Sequence, residues 1–291
     1  MKSQSLDDRL VDIISYLFMI IFSIFCMVPF LIVIMSSITD EATILKNGYG
    51  LIPEKFSFYA YKVIFENNVI FNAYKITIFV TVVGTILSLI LTAALSYAIS
   101  VKSLKYRNKI AFYVYFTMLF NGGLVPSYIL ISKYLHMKNS IWVLIIPALI
   151  NPWNMFLLRN FFNTIPESLS ESAKIDGANE IYILFRIILP VSLPALATIG
   201  LFYALAYWNE WFRAMLYLSK QNLYPLQYII MKIMRNLNET LPVDAPSKNS
   251  IAPSYGVRMA TAVVTIGPII FLYPFLQKYF VKGLMVGSIK G

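Results

Sequence analysis

Cysteine and histidine are almost absent from this chain. Its 291 residues include one cysteine, Cys26, and one histidine, His136. No disulfide can therefore form within the chain, and no cluster of cysteine and histidine ligands can hold a metal ion. A Cys–His catalytic pair is disfavoured as well, because Cys26 lies in the middle of a long apolar run. We expect no catalytic residue and no metal site.

Charged residues are also scarce in this chain. Only 13% of the residues are charged, 58% are apolar and the mean hydropathy is +0.69, whereas soluble domains carry about a quarter charged residues. This composition predicts an all-α integral membrane protein. The net charge of +10 does not indicate nucleic acid as a partner, because the basic residues are scattered through loops without interleaved aromatic residues.

Six apolar segments are each long enough to cross a bilayer as a helix. They cover residues 13–37, 69–101, 110–133, 140–158, 187–218 and 259–280. The first is too long for the core of a cleavable signal peptide, so we interpret it as a retained helix. The pattern predicts one transmembrane domain over residues 1–291.

Basic residues predict the orientation of these segments. The loop after the second segment carries four basic residues and no acidic one, which is typical of a cytoplasmic loop. These residues are Lys102, Lys105, Arg107 and Lys109. With six spans, both termini and the connection at 166–180 share the cytoplasmic side. The long loop at 219–257 then lies outside the cell.

A polar stretch, Glu167–Pro194, interrupts the apolar pattern. Its sequence predicts two short helices, Glu167–Ile175 and Ala178–Leu184, on either side of Asp176-Gly177, where glycine permits a tight turn. The segment is acidic, which disfavours an amphipathic helix lying on anionic lipid. We therefore interpret it as a docking segment for a soluble partner, with the interfacial helix as the alternative.

The motif in this stretch resembles the EAA loop of binding-protein-dependent ABC importer permeases. The family pattern is Glu-Ala-Ala, then Asp-Gly-Ala, then a distal Leu-Pro, which here is Leu189-Pro190; the chain departs from it at Ser172. The corresponding docking residues are Glu171, Ser172, Ala173, Asp176, Gly177 and Ala178.

Other motifs resemble the carbohydrate, maltose-like branch of that family. Trp208-Asn209 matches a pair common in those permeases, and Phe120–Ser127 is similar to a complex-oligosaccharide subgroup. The end of the chain resembles their glycine-rich tail. The tail residues that correspond are Gly283, Gly287, Lys290 and Gly291.

The resemblance implies a type I importer fold in the cell membrane, with the six apolar segments as its transmembrane helices. The composition, rich in lysine, asparagine and isoleucine, favours a bacterial source. The resemblance also implies a second homologous permease as heterodimer partner, two ATPase subunits, an extracellular solute-binding protein and an oligosaccharide substrate. The tail would reach the ATPase dimer interface. ATP and Mg would bind the ATPase, and this chain would bind no cofactor and would not be an enzyme. The absence of a GxxxxGK[ST] motif agrees with that division.

An aromatic cluster in the fifth segment is the candidate for substrate contact. Tyr203 and Tyr207 are spaced to share one helix face, and Trp211 would continue that face. An interfacial aromatic belt is the alternative interpretation. The full set of candidate residues is Tyr203, Tyr207, Trp208, Asn209 and Trp211.

An ion-coupled secondary transporter or a channel is the alternative function. Such transporters place ionisable residues within the membrane. The apolar segments of this chain contain few of them, mainly Lys75, Glu210 and Arg213. A membrane-embedded enzyme is a further alternative, which the single cysteine and single histidine disfavour.

Overall fold

The computed structural model describes residues 6–66, 68–239 and 255–267. These residues are mostly helical and contain no strand; an isolated antiparallel bridge joins Thr39 to Phe56. They form two compact units. As far as the chain is described, one unit contains residues up to 68 together with 232–267, and the other contains residues 69–231.

The helices vary widely in length. In chain order they are α1 (Leu6–Ser37), α2 (Glu41–Asn47), α3 (Tyr59–Glu66), α4 (Asn68–Ser100), α5 (Arg107–Leu119), α6 (Leu124–Ile129), α7 (Pro152–Phe162), α8 (Glu167–Ile175), α9 (Glu180–Ile183), α10 (Leu189–Val191), α11 (Leu193–Trp208), α12 (Phe212–Tyr217), α13 (Leu226–Glu239) and α14 (255–267). Wider π-helical turns cover Leu130–Tyr134 and Leu184–Ile188, and tighter 3-10 turns cover Ile141–Leu144, Ile146–Ala148 and Gln221–Leu223.

Two described helices are each long and apolar enough to cross a membrane. They are Leu10–Ser37 within α1 and Asn68–Ser100, which is α4. Both agree with the first two predicted segments. In α1 the helix continues through Pro29, and its apolar side chains are exposed along almost its whole length. Such a surface suits a helix surrounded by lipid or by another membrane subunit.

The next three predicted segments are broken helices rather than continuous ones. The helical pairs are bent by 111° over residues 107–134, by 47° over residues 141–162 and by 88° over residues 180–208. If each bent pair is one span, the described residues contain up to five spans. The sixth predicted segment is helical over 255–267, and its remainder lies outside the described residues. The count of six spans therefore stays a prediction.

Each break has a local cause in the sequence. Asn121-Gly122-Gly123 separates α5 from α6, and Gly123 has a φ of +88°, which few other residues adopt. Proline begins α7, where Pro152 has no N–H to continue the preceding turn. Ser192, with φ of −96° and ψ of 10°, separates α10 from α11, and Pro194 follows it in the first turn of α11.

A carboxylate holds the start of α14 within the first unit. The Glu41 side chain accepts hydrogen bonds from the backbone N–H groups of Tyr255 at 2.7 Å and Gly256 at 2.9 Å. These N–H groups belong to the first helical turn and have no partner within the helix. A negative charge there also complements the helix dipole. In the same unit, the hydroxyls of Ser37 and Tyr61 lie 2.8 Å apart.

Helix α4 organises the second unit through one face of small residues. The hydroxyl of Ser88 lies 2.9 Å from that of Tyr207, and the hydroxyl of Thr92 lies 2.7 Å from that of Tyr203. Helices approach closely in membranes where small residues meet, and hydroxyls there hydrogen-bond across the interface. Buried residues of this face are Thr77, Gly84, Ser88, Thr92 and Ser96.

The same helix also packs against α5 and α7. The Ser96 hydroxyl donates to the carbonyl of Met155 on α7, at 2.9 Å. Ile99, Ala111 and Met155, from α4, α5 and α7, form one buried apolar cluster. Tyr203 adds a link, because its hydroxyl accepts a hydrogen bond from the backbone N–H that precedes α7. Helix α4 thus combines apolar packing with a polar contact to α7.

Gly84→Ala is expected to destabilise the protein. A Cβ at Gly84 would lie 2.7 Å from the Tyr207 ring, which cannot retreat easily because its hydroxyl contacts Ser88 and the carbonyl of Ile145. Overpacking of this kind costs roughly 1–3 kcal/mol. The thermal midpoint of the purified protein in detergent measures the effect. Gly267→Ala is the control, because a Cβ there meets no atom of the described residues within 4 Å. Equal midpoints for both variants would contradict the packing argument.

Candidate functional site

The coupling segment, residues 166–180, contains a short helix with charges placed to suit its dipole. Helix α8 begins after Pro166, and its bounds match the predicted helix Glu167–Ile175. Glu167 lies in the first turn and Lys174 in the last. An acidic residue near the N-terminus and a basic residue near the C-terminus both stabilise a helix. A helix of 9 residues is nevertheless marginal without further contacts.

The Asp-Gly-Ala motif ends this helix. Gly177 has a φ of +83°, a conformation that residues with a Cβ avoid. Its N–H donates to the carbonyl of Lys174 at 3.0 Å, and the N–H of Ala178 donates to the carbonyl of Ala173 at 2.9 Å. This pair of bonds is a Schellman motif, which satisfies the last carbonyls of a helix. The motif therefore fixes where the chain leaves α8.

The next helix begins shortly after this turn. The side chain of Asn179 accepts a hydrogen bond from the backbone N–H of Tyr182 at 2.8 Å, which caps the N-terminus of α9. Because the end of α8 and the start of α9 are both capped, the direction of the chain is defined between them. The sequence predicted that this second helix starts slightly earlier, at Ala178.

Two charged contacts attach the coupling segment to the end of α4. Lys102, in the loop after α4, pairs with Glu167 at 2.7 Å. Glu180 pairs with Lys174 at 2.7 Å and accepts a hydrogen bond from the hydroxyl of Tyr97 on α4 at 2.6 Å. The side chains of both ion pairs are substantially exposed, so each pair contributes at most about 1 kcal/mol. Their main effect is to set the position of α8.

Most of the predicted docking residues face solvent. Glu171, Ser172, Asp176 and Gly177 are exposed, whereas Ala173 and Ala178 are half-buried. The apolar side chain of Ile175 is 87% exposed, although it lies within a polar segment. Leu169 on the same helix is 43% exposed, so α8 presents two apolar side chains that are accessible to another protein.

The predicted substrate-path residues occupy two different environments. Tyr203, Tyr207 and Trp208 are buried, and the two tyrosines pack against α4. Helix α11 ends at Trp208, so Trp211 does not continue the tyrosine face and is 41% exposed. Asn209 is exposed too, and its side chain accepts a hydrogen bond from that of Gln227. Substrate contact by these residues stays a prediction. Among them, Asn209 and Trp211 have side chains that a substrate could reach.

Two of the charges predicted to lie in the fifth apolar segment compensate each other. Arg213 donates to the carboxylate of Glu210 through its guanidinium and, at 2.8 Å, through its backbone N–H. Side chains coupled in this way are less suited to a proton relay than isolated carboxylates. The described residues contain no group of three or more histidine, cysteine, aspartate or glutamate side chains that could hold a metal ion. The predicted tail residues Gly283, Gly287, Lys290 and Gly291 lie outside the described residues.

The contacts that hold the coupling segment in place could not be predicted from the sequence. Tyr97 and Glu180 are 83 positions apart, and no local pattern indicates that they share a hydrogen bond. Asn179 is different, because asparagine before a helical stretch is a common N-cap and could have been predicted.

The fold and the capped coupling segment define a class of protein, a polytopic membrane subunit that carries a short, exposed polar helix. The chain belongs to the binding-protein-dependent transport system inner membrane component family, whose model matches residues 8–286. It is therefore a permease subunit and not an enzyme.

Similar proteins and a solved structure support the assignment of the chain to this family. The chain is 41% identical to the polygalacturonan/rhamnogalacturonan transport system permease protein YtcP of Bacillus subtilis (strain 168), over 98% of this chain and 99% of that protein. It is 38% identical to Protein LplC of the same organism, over 97% and 96%. A crystal structure of a bacterial ABC transporter involved in the import of the acidic polysaccharide alginate also matches. Its TM-score is 0.84 and its identity 31%, over 96% of this chain and 100% of that chain.

Gly177→Ala is expected to loosen the end of α8. The substitution forces a Cβ into a positive-φ conformation, at a cost of about 1 kcal/mol. Hydrogen exchange of residues 167–183 should then accelerate about fivefold, which is the equivalent of that energy. Gly177→Asn should accelerate it less, because asparagine tolerates this conformation.

Gly50→Ala serves as the control for this prediction. Gly50 lacks a positive φ, and the nearest atom to an added Cβ is 3.8 Å away. If Gly177→Ala and Gly50→Ala leave exchange in the coupling segment equally unchanged, the proposed role of the cap is wrong.

Proposed function

We propose that this chain is one of the two permease subunits of an ATP-driven oligosaccharide importer. A second, homologous permease completes the translocation path, and an extracellular solute-binding protein delivers the sugar. Two ATPase subunits bind and hydrolyse ATP with Mg, and they dock on the coupling segment. The observation that carries the proposal is the capped, exposed helix α8. Lys102, in the loop after α4, pairs with Glu167 of α8. Tyr97 of α4 donates a hydrogen bond to Glu180, which in turn pairs with Lys174 of α8.

The docking face follows from exposure and charge. Glu171 and Ile175 are both exposed on α8. The carboxylate of Glu171 takes part in no ion pair among the described residues, whereas that of Glu167 is paired with Lys102. A partner cleft with a basic group and an apolar pocket would match Glu171 and Ile175. The tail, which includes Gly287 and Lys290, is proposed to reach the ATPase interface as well.

The paired charges disfavour the alternative of an ion-coupled transporter. Glu210 has its own cationic partner in Arg213, and Lys75 is exposed near the start of α4. ATP-driven transport needs no intramembrane ion relay, because the energy enters through the docked ATPase. These charges therefore favour the importer permease.

The substrate class follows from the relatives. One relative is named for polygalacturonan and rhamnogalacturonan, and the solved importer is described by an acidic polysaccharide. We propose that this importer takes oligosaccharides that carry carboxylate groups.

Glu171→Lys is expected to weaken ATPase docking. Reversing a charge at a complementary contact should lower recovery of the ATPase subunits in a pull-down about tenfold. Glu54→Lys is the control, because Glu54 lies in the segment between α2 and α3, apart from the coupling segment in sequence. Both variants should insert normally. Wild-type recovery with Glu171→Lys would exclude this face as the docking site.

Acidic oligosaccharides are expected to stimulate ATP hydrolysis. The assembled transporter in nanodiscs, with its solute-binding protein, should hydrolyse ATP several-fold faster with oligogalacturonate than with a neutral oligosaccharide of equal length. The carboxylates would need paired cationic groups, which a neutral sugar leaves unpaired. Equal stimulation by both sugars would remove the acidic requirement while leaving the permease function intact.

Both termini and the coupling segment are proposed to face the cytoplasm of a bacterial cell. In a Cys26→Ala background, a cysteine at Ser103 should react with an impermeant thiol reagent only from the cytoplasmic side. A cysteine at Gln221 should react only from outside. The opposite labelling pattern would overturn the orientation that the basic loop predicts.

A further inference from the structure

A cavity lies beside the coupling segment, at the ends of three membrane helices. Its volume is about 480 Å³, and it is lined by the loop after α4, the start of α5, the end of α7 and one side of α8. Helix α4 ends at Ser100, α5 begins at Arg107 and α7 ends at Phe162. Because α4 qualifies as a span and α5 and α7 belong to bent spans, the cavity lies where the chain leaves the apolar layer.

Four cations line this cavity, and two of them are lysines with a counter-charge. Lys102 pairs with Glu167, and Lys174 pairs with Glu180. Both lysines are therefore already compensated by carboxylates of the coupling segment. The other two cations are arginines, and their charges are not compensated in this way.

The guanidinium groups of Arg107 and Arg159 take part in no ion pair among the described residues. Both side chains are half-buried, and the Nε of Arg159 is fully buried without a hydrogen-bond partner. A buried guanidinium N–H without a partner is costly, so a ligand that accepts this bond would be stabilising. The exposed carboxylate of Glu171 also lines the cavity. The lining thus holds one unpaired carboxylate against two unpaired guanidinium groups.

Apolar side chains complete the lining. Val101, Phe162, Ile165 and Ile188 contribute to it. A site with guanidinium groups beside an apolar wall suits a molecule that has an anionic head and an apolar body. Guanidinium groups bind phosphate through paired hydrogen bonds, and basic pockets between membrane helices bind anionic lipid head groups.

We propose that this cavity binds the phosphate head group of an anionic phospholipid through Arg107 and Arg159. The location at the ends of three membrane helices, beside their apolar side chains, favours a lipid over a free anion. The bound lipid would contact the middle of α8 as well, since Ser170 and Glu171 line the same cavity. The site therefore makes the position of the coupling segment sensitive to the lipid around the transporter.

The test uses the assembled transporter in nanodiscs of phosphatidylcholine, with or without phosphatidylglycerol. Phosphatidylglycerol should raise the thermal midpoint of the wild type and should co-purify with it in native mass spectrometry. The double variant Arg107→Gln/Arg159→Gln should retain about tenfold less phosphatidylglycerol and show no rise in midpoint, because both charged hydrogen-bond donors are gone. Lys105→Gln is the matched control, since Lys105 is two residues before Arg107, lies over the Tyr106 ring and is not among the residues that line the cavity.

Inorganic phosphate distinguishes a lipid head group from a soluble anion. Added to phosphatidylcholine nanodiscs, it should not reproduce the rise in midpoint; if it does, the site takes a soluble phosphate and the lipid proposal is wrong. Equal phosphatidylglycerol retention by the double variant and the wild type would also overturn the proposal. Loss of the ATPase subunits with lipid retention unchanged would assign the two arginines to the ATPase contact instead.

A charge-conserving variant keeps the proposal testable if the double glutamine variant folds poorly. Arg107→Lys/Arg159→Lys retains both positive charges but loses the paired hydrogen bonds of the guanidinium groups. It should retain more phosphatidylglycerol than the glutamine variant and less than the wild type. Retention as low as that of the glutamine variant, in a protein with a wild-type midpoint in phosphatidylcholine, would contradict an electrostatic lipid site.

Discussion

The close approach of α4 to its neighbours is the constraint on which the second unit depends. In a bilayer, apolar surface gains little by leaving lipid for another helix, so helices are held by tight packing and by paired polar groups. Gly84 allows the tight packing, because only a hydrogen at that position leaves room for the Tyr207 ring. Ser88 and Thr92 provide the paired polar groups, because each hydroxyl contacts a tyrosine hydroxyl across the interface.

Helix α4 also connects the interior to the coupling segment. Its middle holds the tyrosines of α11, and its end holds Glu180 through Tyr97, while the following loop holds Glu167 through Lys102. The helix is continuous from its middle to its end. A displacement of α8 by a docked partner would therefore act directly on a helix that packs against the interior of the permease. The individual ion pairs are weak, so they set the position of the coupling segment but do not prevent it from moving.

The lipid site proposed at Arg107 and Arg159 would add a second influence on the same segment. The two arginines lie on α5 and α7, which pack with α4, and the cavity extends to α8. Protein partner and membrane lipid would then both act on the coupling segment. The exposed Ile175 would serve the proposed protein partner, and the two guanidinium groups would serve the proposed lipid.

Prediction from the sequence worked best where the interactions are local. The bounds of α8, the turn at Gly177 and the continuous helices α1 and α4 all follow from propensity, glycine conformation and apolar length. Prediction was less successful for the three bent helices, since apolar length reports only that a segment suits the membrane. It does not report whether Gly123 or Ser192 breaks the helix within it. The sequence predicted that Tyr203 and Tyr207 share one helix face, but it did not predict that this face packs against α4.

The sequence alone determined the class of environment, the polar interruption and the motif of the coupling segment. These properties depend on composition and on residues within a few positions of one another. Only the tertiary structure decided the long-range contacts. Glu180 accepts a hydrogen bond from Tyr97, and Gly84 leaves room for the Tyr207 ring. Arg107 and Arg159 line one cavity. Each of these arrangements joins residues far apart in the sequence, and their pairing is set by which helix faces meet. Small shifts in helix direction at the three breaks change those faces, so no local pattern can specify them.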